Sequence, residues 1–271
     1  MSAPVHLRLD GDVLWALLDR PDTRNAINLS VIAGLETMLA TAEEHQVKVV
    51  VIRGEGGTFC SGADLHELRG LADDPVALES FMLRFGAVLD ELEQAQWATV
   101  TVIEGHAVAG GCELLLASDI SIAAANARIG DGHVNYGLVP AAGGSVRLPR
   151  AVAPSLARYL LLTGDTLSGA ESARNGLVTM AVEPEALDER VAHVVALVRS
   201  RGRATVKTVK TMLSQEPCTE KGLLLRHEVD LFLEHIVHAP DARRGLQAFH
   251  DRATASFDGE EIAAPPRGST A

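Results

Sequence analysis

The order of apolar and polar positions predicts short strands and helices that follow one another along the chain. Residues 5–9 and 13–18 are apolar runs separated by three polar or glycine positions, which is typical of a β-hairpin. Residues 31–45 have apolar side chains at helical spacing, so an amphipathic helix is expected there. The β-branched run at 48–54 ends in glycine and predicts a buried strand.

The middle of the chain continues this alternation. Residues 99–103 predict another apolar strand, a helix is expected from about 110 to 118, and a third strand follows at 119–125. Strands that alternate with helices at these intervals are characteristic of a largely parallel, right-handed α/β arrangement. We therefore predict an α/β fold built around a parallel sheet.

Helices predominate after residue 142. Pro154 fits the first position of a helix and Gly164 the residue just past its end. Ser168 and Glu171 have the spacing of a capping box, which predicts another helix start.

The chain is predicted to have three parts. Residues 1–195 form the α/β core, and residues 196–257 form a helical region that contains an amphipathic helix at 219–238. Residues 258–271 are polar and contain two prolines, which predicts a flexible tail.

Composition narrows the class of protein. The formal net charge of −12 disfavours nonspecific binding to nucleic acid or to an anionic membrane surface. No apolar run reaches the length of about 18 residues expected of a membrane span, and no secretory signal is visible, so we expect a cytoplasmic protein. Three cysteines lie far apart with no CxxC spacing, which argues against a disulfide framework and against a metal site.

Two glycine-rich turns, 57–65 and 104–120, follow the two strongest apolar strands. Gly110 and Gly111 open an apolar helix whose first N–H groups have no acceptor within the helix. Such donors, together with the helix dipole, suit a site where negative charge develops. The pattern taken alone also fits ordinary strand-to-helix turns, and neither turn has the phosphate-binding spacing of a P-loop or GxGxxG motif.

Five segments, taken in order, resemble the enoyl-CoA hydratase/isomerase (crotonase) superfamily. They are RPDTRNAIN at 20–28, GTFCSGADL at 57–65, GHAVAGGCELLLASDI at 105–120, GLVPAAGGSVRLPR at 137–150 and LLLTGDTLSGAESARNGLV at 160–178. The resemblance covers about residues 5–255. It implies a spiral of ββα units with a helical C-terminal region that builds a homotrimer, commonly paired into a hexamer.

The resemblance also implies a reaction site. In such a site the backbone N–H groups of Ala63 and Gly110 form an oxyanion hole, which holds a thioester oxygen as it becomes enolate-like. Glu113 matches one of two glutamates that activate and orient water in the hydratases. The substrate is then an acyl-coenzyme A thioester, with coenzyme A entering as part of the substrate and no prosthetic group needed.

Coenzyme A contacts are implied at two places. Arg24 matches a basic position near the nucleotide, and a planar guanidinium suits phosphate recognition, although a solvated surface arginine is the alternative. Phe249 and Arg252 resemble an aromatic and basic pair that reaches the cofactor of a neighbouring subunit. The positions that match the pantetheine and adenine contacts are Ala26, Ala63, Asp64 and Leu65.

The second glutamate of the hydratases is missing. Four residues before Gly137, where the resemblance places it, this chain has His133. A histidine has an unperturbed pKa of about 6.5 and suits proton transfer at neutral pH. Asp131 is a weak substitute, because it would point the same way as His133 only if the backbone stayed extended through Gly132.

Several functions remain open at this point. Hydration of an enoyl-CoA by Glu113 and His133 is the leading hypothesis, and double-bond isomerisation or hydrolysis of a β-dicarbonyl C–C bond is the first alternative. The β-diketone hydrolases that resemble this chain pair such a histidine with an aspartate where this chain has Ala141 and Ala142. A catalytically silent acyl-CoA-binding protein is the alternative from another class. The variable stretch 66–97 is expected to cover the acyl pocket.

Overall fold

The structure is a computed structural model that describes residues 3–71 and 74–213 of the 271-residue chain. The chain divides into two compact units, 1–199 and 200–271. None of the described helices is long and apolar enough to cross a membrane.

The predicted helix at 219–238, the oligomerisation region beyond residue 213 and the tail at 258–271 lie outside the described residues. These expectations stay predictions, as do the boundaries after residues 195 and 257.

A six-stranded sheet forms the centre of the first unit. In sheet order its strands are β1 (Val5–Asp10), β2 (Val13–Leu18), β3 (Val49–Gly54), β4 (Ala98–Ile103), β6 (Ile120–Ala124) and β9 (Met180–Val182). The first two strands pair antiparallel, and every later pair is parallel. The predicted hairpin and the predicted parallel arrangement are therefore both confirmed.

A second, three-stranded sheet lies beside the site described below. Its strands are β5 (His106–Val108), β7 (Arg128–Gly130) and β8 (Leu167–Ser168). β5 pairs parallel with β7, and β7 pairs antiparallel with β8. Strands of two or three residues are too short to show an apolar alternation, which is why the sequence pattern did not predict this sheet.

The described residues of the first unit form eight α-helices. They are α1 (Leu29–Glu44), α2 (Leu65–Leu71), α3 (Pro75–Gln94), α4 (Gly110–Leu116), α5 (Gly144–Ala151), α6 (Pro154–Thr163), α7 (Gly169–Arg174) and α8 (Leu187–Arg199). The second unit contains α9 (Arg203–Leu213) among its described residues.

Local chemistry sets several of the helix ends. Pro154 opens α6, and Gly164 ends that helix in the left-handed conformation, as predicted. Ser168 and Glu171 form the predicted capping box of α7. The side chain of Asn28 caps α1 by accepting a hydrogen bond from the Val31 N–H at 2.9 Å.

The central strands β3 and β4 of the large sheet are buried on both faces. Val50 and Ile52 of β3 enter a core that also contains apolar residues of α1, α3 and α4, whereas Val49 and Val51 enter a smaller core with α8. Successive side chains of a strand point to opposite faces, so a strand covered on both sides needs a continuous apolar run. The uninterrupted β-branched sequence of β3 has this origin.

Candidate active site

Backbone hydrogen bonds join the two glycine-rich turns. The Cys60 N–H donates to the His106 carbonyl at 2.9 Å, and the Val108 N–H donates to the Cys60 carbonyl at 3.1 Å. The Ile27 N–H donates to the Gly62 carbonyl at 2.8 Å. These hydrogen bonds extend the strand pairing past the ends of the strands and fix the two turns relative to each other.

The amides of Ala63 and Gly110 are neighbours as a result. A Cβ placed on Gly110 would lie 3.5 Å from the Ala63 nitrogen, and one placed on Gly62 would lie 3.2 Å from the Gly110 nitrogen. Within the described part of the chain neither N–H donates a hydrogen bond. Two unused backbone donors therefore lie side by side at the first turn of α4, and both line the same cleft.

Ala109 has a backbone conformation that the sequence did not indicate. Its φ of 50° and ψ of −122° lie outside the regions that an L-residue favours. The Ala109 N–H donates to the Gly130 carbonyl at 3.2 Å, and the alanine methyl packs against Gly62. Because ψ of residue 109 orients the next peptide plane, this strained alanine fixes the direction of the Gly110 N–H.

Glu113 is buried in the first turn of α4, with 2 % of its surface exposed. Its Oε1 accepts hydrogen bonds from the N–H of Ala142 at 2.9 Å and from that of Gly144 at 2.8 Å. Burial raises the pKa of Glu113, and the Gly144 N–H and the positive charge of His133 offset that rise only in part. One carboxylate oxygen is thus held by the loop, which leaves the other to face His133.

His133 lies between two carboxylates. Its Nδ1 is 3.0 Å from Asp131 Oδ1, and its Nε2 is 4.0 Å from Glu113 Oε2. Burial lowers the pKa of His133, but the hydrogen bond and charge of Asp131, followed by the charge of Glu113, outweigh burial and raise it. The site therefore stabilises the imidazolium form relative to a histidine in water.

Asp131 does not line the cleft beside His133. Gly132 turns the backbone with a φ of 70°, and His133 begins a short 3₁₀ helix that ends at Tyr136. The backbone through Gly132 is therefore not extended, and an extended backbone was the condition for Asp131 to point the same way as His133. The Asp-Gly-His order was a usable signal, because an aspartate before a turn often hydrogen-bonds the backbone two residues on.

The cleft has a volume of about 630 Å³. Leu68, Phe81, Met82 and Phe85 contribute apolar surface to it from the predicted acyl-pocket stretch 66–97. The predicted site residues that line it are Arg24, Ala26, Ala63, Asp64, Leu65, Gly110, Glu113 and His133. Phe249 and Arg252 lie outside the described residues.

Asp64 has a partner that the sequence did not reveal. Its carboxylate accepts a hydrogen bond from the Arg20 guanidinium at 2.9 Å, and both side chains are largely buried. Burial opposes the shift, but Arg20 and the N–H groups of His66 and Glu67 lower the pKa of Asp64. The negative charge of Asp64 is thereby compensated at a cleft predicted to receive an anionic cofactor.

Arg24 and Asn25 form a tight left-handed turn, with φ of 54° and 57°. The Asn25 amide donates to the carbonyls of Glu55 at 2.9 Å and Thr58 at 2.6 Å, so this turn is fixed to the one after β3. The Arg24 side chain is exposed at the edge of the cleft.

Arg147 of α5 supports the loop that holds Glu113. Its guanidinium donates to the Ala142 carbonyl at 2.7 Å, to Glu93 at 2.8 Å and to Asp90 at 2.6 Å. The two carboxylates belong to α3, so Arg147 joins the Glu113 loop to a helix that lines the cleft. No local pattern marks such a long-range contact in the sequence.

Cys60 and Cys112 border the site but are completely buried. Burial raises the pKa of Cys60 to about 12 and raises that of Cys112 as well. Both therefore remain thiols at neutral pH, which removes the thiolate that a nucleophilic role requires. No group of three or more metal-binding side chains occurs within residues 3–71 and 74–213.

Comparison with known proteins identifies the family of this chain. The family model described as enoyl-CoA hydratase/isomerase matches residues 10–260. The chain belongs to this family. It is 31 % identical over 246 residues to a crotonyl-CoA hydratase of Syntrophomonas wolfei, covering 89 % of this chain and 92 % of that protein. It is 32 % identical over 257 residues to the human mitochondrial enoyl-CoA hydratase domain-containing protein 2, covering 93 % and 87 %.

Solved structures of the enoyl-CoA hydratase/isomerase family have the same fold. An enoyl-CoA hydratase of Mycobacterium smegmatis superposes with a TM-score of 0.89 at 26 % identity, and one of Bacillus anthracis with 0.87 at 29 %. Each comparison covers 95 % of this chain and 100 % of the other. The crotonase fold predicted from the sequence is confirmed.

Proposed function

We propose that this member of the enoyl-CoA hydratase/isomerase family adds water to the double bond of an enoyl-CoA thioester. The observation that carries the proposal is the common cleft, which is lined by the unused N–H groups of Ala63 and Gly110 and by the acid/base pair Glu113 and His133. A hydratase needs the N–H donors to stabilise the carbonyl oxygen and the acid/base pair to activate the water. The names of the relatives support the same reaction.

The two N–H groups serve as the oxyanion hole in this proposal. The thioester oxygen accepts from both and gains negative charge as water oxygen bonds to the β-carbon. Because the donors are already oriented, stabilising this charge requires little reorganisation. Each donor of this kind typically contributes about 2.7–4 kcal/mol of transition-state stabilisation.

The proton transfers follow from the position of the two side chains. The distance of 4.0 Å between His133 Nε2 and Glu113 Oε2 exceeds a hydrogen bond and is suited to one bridging water. Glu113 accepts a proton from that water as its oxygen attacks the β-carbon. The imidazolium of His133 gives a proton to the α-carbon, and the product is a 3-hydroxyacyl-CoA.

A turnover assay with crotonyl-CoA tests this proposal. The purified protein is expected to consume the enoyl thioester and to form the 3-hydroxy product, and the His133→Glu variant is expected to be slower. The exposed His45→Gln variant serves as the control. Faster hydration by His133→Glu would assign His133 to another reaction, such as isomerisation, and tight acyl-CoA binding without turnover would favour the silent binding protein.

The dependence of kcat/KM on pH is expected to be bell-shaped. Activity falls at low pH as Glu113 is protonated and at high pH as His133 loses its proton. Both pKa values are raised, so the acidic limb should lie above 4.5 and the basic limb above 6.5. Initial rates measured from pH 4 to pH 10 check this expectation, and a basic limb below 6.5 would contradict the assigned acid.

Arg24 is proposed to bind a phosphate of coenzyme A. The Arg24→Gln variant is expected to raise KM by up to about fivefold with kcat unchanged, because an exposed ion pair contributes at most about 1 kcal/mol. The effect should diminish at high ionic strength. Arg190→Gln on the exposed face of α8 is the matched control. Equal KM values for Arg24→Gln and the wild type at low salt would contradict this role.

The quaternary state belongs to the proposal as well. We propose a homotrimer or a hexamer in which Phe249 and Arg252 reach the site of a neighbouring subunit. This assignment follows from the family resemblance.

A further inference from the structure

Asp131 is a buried carboxylate beside the proposed site that has no place in the hydration steps. Only 1 % of its surface is exposed, and it is absent from the lining of the cleft. Its Oδ1 lies 3.0 Å from Nδ1 of the His133 ring and accepts a hydrogen bond from the His133 backbone N–H at 3.3 Å. Both contacts go to one residue, and that residue is the one that departs from the hydratase pattern.

We propose that Asp131 is a positioning residue that keeps His133 Nδ1 protonated and aims Nε2 at Glu113. The expected effect of Asp131 on turnover rests on the proposed function.

The need for such a partner follows from the chemistry of the imidazole. The two oxygens of a glutamate carboxylate are equivalent, whereas the two nitrogens of a histidine differ in protonation. A carboxylate at Nδ1 accepts the Nδ1 proton, so Nε2 is the nitrogen that exchanges its proton with the site. In the order Asp131, His133, Glu113, the Asp131 carboxylate holds Nδ1 of the ring, and Nε2 exchanges its proton with the site.

The two carboxylates both lie close to Gly144. A Cβ on Gly144 would lie 3.0 Å from Asp131 Oδ2 and 3.2 Å from Glu113 Oε1. A side chain at position 144 would therefore contact both acids, so this arrangement requires glycine there. His133 contacts both acids through its two ring nitrogens.

The charges that face His133 favour its imidazolium form. Glu113 comes from α4 and Asp131 from the segment after β7. Cys112 is next to both acids and stays neutral, because burial and then the charges of Asp131 and Glu113 raise its pKa. The other titratable groups that line the cleft are Asp22, Arg24, Asp64, His66, His106 and Tyr136.

The state of the ring can be measured in the wild-type protein without any turnover. Two-bond ¹H–¹⁵N correlation spectra of ¹⁵N-histidine-labelled protein distinguish the two neutral tautomers, and His133→Gln identifies the resonances of His133. Above the pKa of the ring we expect the Nδ1–H tautomer. The Nε2–H tautomer would overturn the proposal.

The Asp131→Asn variant tests the consequence. We expect the pKa of His133 to fall in the NMR titration, the basic limb of the rate profile to move to lower pH, and kcat to fall by about 10- to 100-fold, with KM little changed. Asp10→Asn, at an exposed position of β1, is the control. An unchanged His133 titration in folded Asp131→Asn protein would overturn the proposal.

A double variant separates action through His133 from a general structural effect. In the His133→Glu background the loss of kcat caused by Asp131→Asn should disappear, because the group that Asp131 positions is no longer present. An equal loss in both backgrounds would make Asp131 structural only. If the wild type hydrates no enoyl-CoA but the NMR results are as expected, the proposed function fails while the role of Asp131 stands.

Discussion

Replacing Glu113 with glutamine is expected to lower kcat/KM for crotonyl-CoA by about 10²–10⁴-fold, the usual contribution of a general base. A glutamine oxygen can still accept the N–H groups of Ala142 and Gly144, which hold Oε1 at 2.9 and 2.8 Å. At the position of Oε2, however, an NH₂ group donates and accepts no proton. The loss should therefore appear in kcat rather than in folding.

The stability of the same variant has a definite sign. The pKa of Glu113 is raised in the folded protein, so its ionised form opposes folding at neutral pH and its protonated form favours folding at low pH. A neutral glutamine removes the cost of burying the charge. The melting temperature of Glu113→Gln at pH 7 should therefore equal or exceed that of the wild type.

Glu44→Gln, at an exposed position in the last turn of α1, is the matched control and should retain full activity. Hydration by Glu113→Gln at the wild-type rate would contradict the role of this residue as base. A large fall in its melting temperature would show instead that the lost activity reflects the fold.

Replacing Gly62 with alanine is expected to lower kcat by about 10²–10³-fold, the usual cost of losing one oxyanion donor. The new methyl would lie 2.7 Å from the Ala109 Cβ and 3.2 Å from the Gly110 nitrogen. Ala109 is already strained and orients the Gly110 N–H, so it must move to relieve this contact. The two donors would then no longer converge on one oxygen.

Gly57→Ala separates this contact from backbone strain. Gly57 has a φ of 70° and Gly62 one of 94°, so both substitutions carry the penalty of a left-handed alanine, about 1–2 kcal/mol. At Gly57 no heavy atom lies within 4 Å of the added methyl. In thermal melts both variants should lose stability, and Gly62→Ala should lose more because of its added contact. In steady-state kinetics kcat should fall for Gly62→Ala only. Equal kcat values would refute the contact argument.

The parts of the fold that depend on local sequence were predictable. The hairpin of β1 and β2, the buried strand β3 and the capping box at Ser168 all depend on neighbouring residues, and all are present. The small sheet of β5, β7 and β8 was not predicted, because strands this short are defined by their partners rather than by their own pattern.

The candidate site shows the same division. The resemblance assigned Ala63, Gly110, Glu113 and His133, and all four line one cleft. The partner of His133 and the support given by Arg147 are contacts between side chains whose positions only the folded chain determines. The conformation of Ala109 was also out of reach, because a positive φ is predicted from glycine and this residue is alanine.

The pairing of the Ala63 and Gly110 amides has an evolutionary consequence. Both donors are main-chain groups, so a point mutation that preserves the fold seldom deletes them, whereas a single codon change can alter a proton-transferring side chain. A lineage with this fold can therefore retain the two donors for the carbonyl oxygen while the proton-transferring side chains beside them change. Under the proposed function, His133 in place of the expected glutamate is an exchange of this kind, and Asp131 is the residue that supports it.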